Sequence, residues 1–172
     1  YRFESGRFYA LVGRSGSGKT TLLSLLAGLD FPTEGKVLFN GKPTAELDCD
    51  EYRRDDVAVI YQSYNLFPLL TVLENVELAL LRFDDKKTRR EKARELIEKV
   101  GLIKQINQRG SKLSGGEKQR TVIARALAKD APIILADEPT GNLDVKSSRE
   151  IAKLLKDVSK DKLVIVVTHN PE

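Results

Sequence analysis

The sequence predicts an α/β fold, a mostly parallel sheet flanked by helices with an α-helical segment inserted into it. Three observations predict this. Near-continuous apolar runs at 8–12, 57–61, 133–136 and 163–167 read as strands covered on both faces. Apolar residues at helical spacing, such as Ile151, Leu154, Leu155 and Val158, lie between such runs. Over residues 63–112 the alternation gives way to helix signals alone.

The bulk numbers suit this fold. A chain of 172 residues forms one domain that buries about 70% of its unfolded surface. Hydrophobic residues make up 41% and charged residues 31%, and no apolar run approaches membrane-spanning length. The start has no apolar stretch of signal-peptide type. The net charge of +4 is mild and interleaved, which gives no reason to expect nucleic acid. The single Cys49 allows no intrachain disulfide and suits a reducing compartment. With no Met at position 1 and a strand starting almost at once, the chain is expected to be a domain trimmed at both ends.

In order, the run at 8–12 leads through a glycine-rich turn into an apolar helix that Gly28 caps and Pro32 stops. Residues 37–41 read as a strand entering an Asn-Gly turn, and 42–56 as a short helix with loops. Gln62 stands just past the strand at 57–61. Thr71 and Glu74 form a capping box for a helix through about Leu81, and Thr88 with Glu91 reads as the cap of the next. There Ala93, Leu96, Ile97 and Val100 share a buried face, and Gly101 ends the helix. The charged run at 84–92 reads as a solvated surface.

The glycine-rich turn is Gly13-Arg14-Ser15-Gly16-Ser17-Gly18-Lys19-Thr20, followed by Thr21. Strand, glycine loop and helix in this order suit a phosphate-binding loop: backbone N–H groups and the helix dipole face the anion, Lys19 adds charge, and the Thr20 hydroxyl is a magnesium ligand. A plain Gly/Ser turn would not require Lys19 and Thr20 in register. Asp137 and Glu138 follow the strand at 133–136, at the sheet edge where such loops lie. Asp137 can face the same magnesium, and Glu138 can orient a water for in-line attack. An acidic pair at a strand end is common on its own; with a phosphate loop in this topology it reads as catalytic. A second glycine motif, Leu113-Ser114-Gly115-Gly116-Glu117, carries a Ser114–Glu117 capping box, yet a capping box needs no glycines. Gly115 and Gly116 bare a helix N-terminus as a second anion site. Two such sites in one small domain suggest copies facing head to tail, each nucleotide lying between one copy's Lys19 and the other's Ser114.

With these motifs in place, the chain resembles the nucleotide-binding domain of an ATP-binding cassette (ABC) ATPase over essentially its whole length. The resemblance implies a P-loop NTPase fold of RecA-like type, one ABC ATPase domain over 1–172. Residues 1–62 and 113–172 would form the catalytic core and 63–112 the helical subdomain. Residues 13–20 match Walker A, 133–138 Walker B with the catalytic Glu138, and 113–117 the signature. Gln62 matches the Q-loop, Asn142, Leu143 and Asp144 the D-loop, and His169 the switch histidine. A lone strand-end histidine is more often structural; its place after the last strand makes His169 a γ-phosphate contact that also holds Glu138. The resemblance further implies ATP and Mg²⁺, the signature acting in trans in an ATP-sandwiched dimer, and Gln62 as magnesium and water ligand. It also implies a transmembrane permease docking on the Gln62 loop and helical subdomain, at the cytoplasmic side of the membrane.

This sequence departs from the pattern at Arg14, where proline is usual and where an outward side chain is expected, and it has no match to the adenine-stacking aromatic. The segment 63–76 with 140–144 resembles ATPases of macrolide-exporter, lipoprotein-releasing and antimicrobial-peptide-resistance type. The rival is a non-transport cassette ATPase of repair, chromosome or ribosome-associated type. In the repair and chromosome ATPases a long coiled coil separates the two motifs. Here only 95 positions part Lys19 from Ser114, without sustained heptads. No Asn-Lys-x-Asp motif favours GTP.

Overall fold

The computed structural model describes residues 1–83 and 85–169. Strand β1 (Phe8–Val12) leads through a loop into α1 (Lys19–Leu26). A small antiparallel pair, β2 (Leu38–Phe39) and β3 (Lys42–Pro43), turns at Asn40 and Gly41, both at positive φ as such a two-residue turn requires. The helical turn α2 (Cys49–Glu51) passes through a π-type turn over Tyr52–Asp56 into β4 (Val57–Ile60). Then come α3 (Val72–Glu77), α4 (Lys86–Lys99), α5 (Gly115–Ala128), β5 (Ile133–Asp137), α6 (Val145–Val158) and β6 (Leu163–Thr168).

The four long strands form one parallel sheet in the order β1-β6-β5-β4. Its register places the chemistry. Val12 lies opposite Thr168, Asp137 opposite Val167, and Ile60 opposite Ala136. Gly13, Glu138, His169 and Gln62, the residues just beyond, therefore all leave the sheet at its carboxyl edge, where ligands of open α/β sheets gather.

Alternation along the strands divides the core between two faces. Leu135, Leu163, Ile165 and Val167 pack with Leu23 of α1, with Ala27 just past its end and with Tyr52. Ile134, Ala136, Val164 and Val166 pack with Ile123 of α5, Ile151 and Leu155 of α6, and the buried faces of α3 and α4. The inserted helices thus close onto the same core as the sheet.

Within the insertion, the Thr71 hydroxyl accepts from Glu74 N–H while the Glu74 carboxylate accepts from Thr71 N–H at 2.7 Å, the predicted capping box. The predicted cap of the next helix is corrected. Asp85, not Thr88, caps α4, accepting from the N–H groups of Lys87 and Thr88, and the Thr88 hydroxyl donates to Asp85 instead of accepting from Glu91. A carboxylate one turn upstream takes the same donors and lets the helix begin earlier.

Candidate functional site

In the loop after β1, Gly16 and Gly18 have φ of 79° and 84°, values that side chains disfavour, so the chain curls back before α1 begins. Lys19 reaches over the curl: its Nζ donates to Gly13 O at 2.7 Å and to Arg14 O at 2.9 Å. A full positive charge thus sits on the loop beside the N-terminus of α1. Arg14, Ser15, Ser17 and Thr21 are exposed along this segment, as the outward reading of Arg14 expects.

Across the sheet edge, Thr20 Oγ1 donates to the Asp137 carboxylate, 3.2 Å from Oδ2 and 3.4 Å from Oδ1. The glycine-rich loop and the end of β5 therefore meet through two hard oxygen donors. Among the described residues no group of three or more His, Cys, Asp or Glu side chains converges. A hydroxyl and a carboxylate are hard oxygen ligands, the kind that suits Mg²⁺.

Glu138 leaves β5 with φ of 47°, a left-handed conformation uncommon for a residue with a side chain. Its N–H donates to Val167 O at 2.8 Å, which fixes the turn against β6. Its largely buried carboxylate accepts from the Thr168 hydroxyl at 3.3 Å and lies 2.8 Å from His169 Nδ1. An ionised carboxylate only accepts, so Nδ1 bears the hydrogen in this contact. His169 is exposed, leaving its other nitrogen open to solvent. Gln62 comes close to the same turn: a Cβ on Gly141 would stand 3.4 Å from Gln62 Nε2 and 3.5 Å from Glu138 O.

The second glycine motif lies at the start of α5. Ser114 caps the helix, accepting from Glu117 N–H at 3.3 Å, while the Glu117 carboxylate accepts from Ser114 N–H at 2.8 Å. The glycines also serve packing. A Cβ on Gly115 would stand 3.2 Å from both Leu143 Cδ2 and the Tyr64 hydroxyl, and one on Gly116 would stand 3.0 Å from Ser147 Oγ. Residues 142–147 thus press directly against this helix start. Asp144 caps α6, accepting from Ser147 N–H at 3.0 Å and Ser147 Oγ–H at 2.6 Å. Hydrogen bonds from the Ser147 hydroxyl and N–H hold its carboxyl below the usual carboxylate range.

The structure brings two groups of the expected residues together. Lys19, Thr20, Asp137, Glu138, Gln62 and His169 share the carboxyl edge; Ser114, Gly115, Gly116 and Asp144 form a separate surface joined by glycine contacts. Sequence reasoning missed Thr168, Gly141, Tyr64 and Ser147. Thr168 had a signal, a hydroxyl in the last strand position beside His169. It also missed Asn75, fully buried, whose amide donates to Phe67 O, Leu70 O and Thr71 O and accepts from Phe67 N–H, shaping the chain downstream of Gln62. Arg125 of α5 ties that chain further, donating to Asn65 O at 2.7 Å and Tyr64 O at 3.3 Å.

Comparison with known proteins gives consistent matches. The model of a family described as ABC transporter matches residues 1–141. An uncharacterized ABC transporter ATP-binding protein, YclH of Bacillus subtilis, is 44% identical over 174 residues, covering 99% of this chain and 77% of its own length. The macrolide export ATP-binding/permease protein MacB of Bdellovibrio bacteriovorus is 44% identical over 175 residues, and the chain spans only 27% of that protein. The solved structure of the ATP-binding cassette MJ0796 of Methanocaldococcus jannaschii superposes with a TM-score of 0.87 at 42% identity, covering 99% of this chain and 78% of the other. That cassette was captured as a dimer in a post-hydrolysis state bound to ADP and Pi.

Proposed function

The chain belongs to the ABC transporter family as an ATP-hydrolysing, ATP-binding subunit, and on that premise we propose how its residues divide the work. Residues 13–21 cradle the phosphates of ATP, with Lys19 as the fixed charge and the loop N–H groups as donors. Thr20 and Asp137, with Gln62, would hold Mg²⁺, which would supply positive charge beside the transferred phosphoryl group. The observation that carries this reading is the Thr20–Asp137 contact, which joins the loop to the end of β5.

Glu138 is the general base that orients water for in-line attack on the γ-phosphate. Thr168 and His169 fix its carboxylate, so the base loses little freedom on reaching the transition state. His169 also reaches the γ-phosphate, through the ring nitrogen that Glu138 does not engage. Residues 114–116 face a nucleotide on a second copy, head to tail. MJ0796 being a dimeric cassette supports this.

In this reading residues 63–112 form the helical subdomain within a single ATPase domain, and with the Gln62 loop they dock a transmembrane permease. Among the described residues no helix is long and apolar enough to cross a membrane. The joined permease of MacB supports an export-type assembly at the cytoplasmic face.

Replacing Glu138 by Gln tests the assignment. ATP hydrolysis should fall about 10²- to 10⁴-fold, and gel filtration with ATP should show a dimer. Undiminished turnover removes Glu138 as base; a monomer with bound ATP removes the trans arrangement.

A further inference from the structure

Helix α5 grips β4 at both ends through cations. At the entry, Lys129 Nζ donates to Val57 O at 2.7 Å and also to Arg53 O. At the exit, the Arg125 guanidinium donates to Tyr64 O and Asn65 O, the second and third carbonyls past Gln62. Arg125 makes no ion pair among the described residues, and burial pushes its guanidinium below the ordinary value. Beside these bonds lies an open cavity of about 460 Å³, with Ala58 and Val59 of β4 and Val122 and Ala126 of α5 in its wall. Apolar packing on that side of the strand is therefore incomplete, and charge-assisted hydrogen bonds place the chain as it leaves β4. A shift of residues 64–65 would strip both acceptors from a cation already half withdrawn from water, which opposes the movement. The placement reaches the reacting edge. Gln62 Nε2 stands 3.4 Å from where a Cβ on Gly141 would lie, in the turn that follows Glu138. We propose that Arg125 is a positioning residue for Gln62, holding the Tyr64 and Asn65 carbonyls so that the Gln62 side chain stays where it would meet Mg²⁺ beside Thr20 and Asp137. This rests on the reading of Gln62 as a metal ligand given above. It also explains why the fork of an arginine suits the position, since a lysine would bring a point charge to a pair of carbonyls.

Metal binding by the full-length protein tests it, with ATP present and Mn²⁺ as the probe, read by electron paramagnetic resonance. Gln62→Ala should weaken Mn²⁺ binding about ten-fold, and Arg125→Lys and Arg125→Met should each weaken it by up to the same factor. Adding either Arg125 substitution to Gln62→Ala should weaken it no further. ATP affinity in EDTA should stay at the parent's value in every variant, because the loop around Lys19 is untouched. Mn²⁺ affinity unchanged in the Arg125 variants, or losses that add to that of Gln62→Ala, overturn the inference and leave Gln62 as a ligand. Loss of metal-free ATP binding or of folding in both Arg125 variants also overturns it, marking a tie that only holds the fold. Mn²⁺ affinity indifferent to Gln62→Ala overturns the reading of Gln62 itself, and the inference with it.

Discussion

Glu138 combines the two demands that meet at this site, since its carboxylate is tied to Thr168 and His169 while its backbone occupies the left-handed region. A side chain there costs on the order of 1–2 kcal/mol, and the β-branched residues suffer most. Replacing Glu138 by Gly should therefore leave the thermal midpoint at or above that of the parent while abolishing turnover. Glu138→Val should lower stability by about 1–2 kcal/mol, measured in denaturant. A site that trades stability for geometry predicts this order; the reverse order would mean that the backbone there is relaxed. The same scale shows what a motif conceals. Gly115 and Gly116 were legible as bare N–H groups, but their contacts with Leu143, Tyr64 and Ser147 come from parts of the chain far away in sequence. No local pattern announces them. Asp144 likewise matched a motif by position, while its capping of α6 depends on the turn that precedes it.

Helix starts are the elements where local chemistry was most readable, and also where one reading failed. The boxes at Thr71 and Ser114 formed as expected because donor and acceptor lie three residues apart in one turn. Thr88 offered the same spelling and lost to Asp85, whose carboxylate is the stronger acceptor and comes first. Carboxylates hold the exposed starts of α2, α3, α4 and α6, and hydrogen bonds from Glu51, Thr71, Thr88 and Ser147 lower Asp48, Glu74, Asp85 and Asp144 respectively. A carboxyl lowered by folding stabilises above its ordinary value and loses that contribution as pH falls through its folded value. Helix content followed by circular dichroism in mild denaturant should hold from about pH 7 to 5 and fall below about pH 4. An unchanged midpoint down to pH 3 would contradict it. Asn75 sets the loop before α3 in a different way, by four hydrogen bonds from a side chain with no exposure. Asn75→Ala leaves buried partners unpaired and should cost about 1–3 kcal/mol in denaturant unfolding.

For the whole molecule, the sheet and its carboxyl edge were legible because parallel strands buried on both faces are spelled as plain apolar runs, and each run ended where a motif began. The strand order was not legible, since nothing in β6 says that it lies between β1 and β5. That order has a consequence in time. Among the described residues, β1 pairs with β6 alone, with Phe8 opposite Val164. During translation the glycine-rich loop emerges before β6, the strand that β1 pairs with here, so that pairing must wait until Leu163–Thr168 has been synthesised and has emerged. Nucleotide binding should thus switch on late in translation of the domain, and stalled chains ending before residue 163 should fail to retain labelled ATP that chains carrying β6 retain.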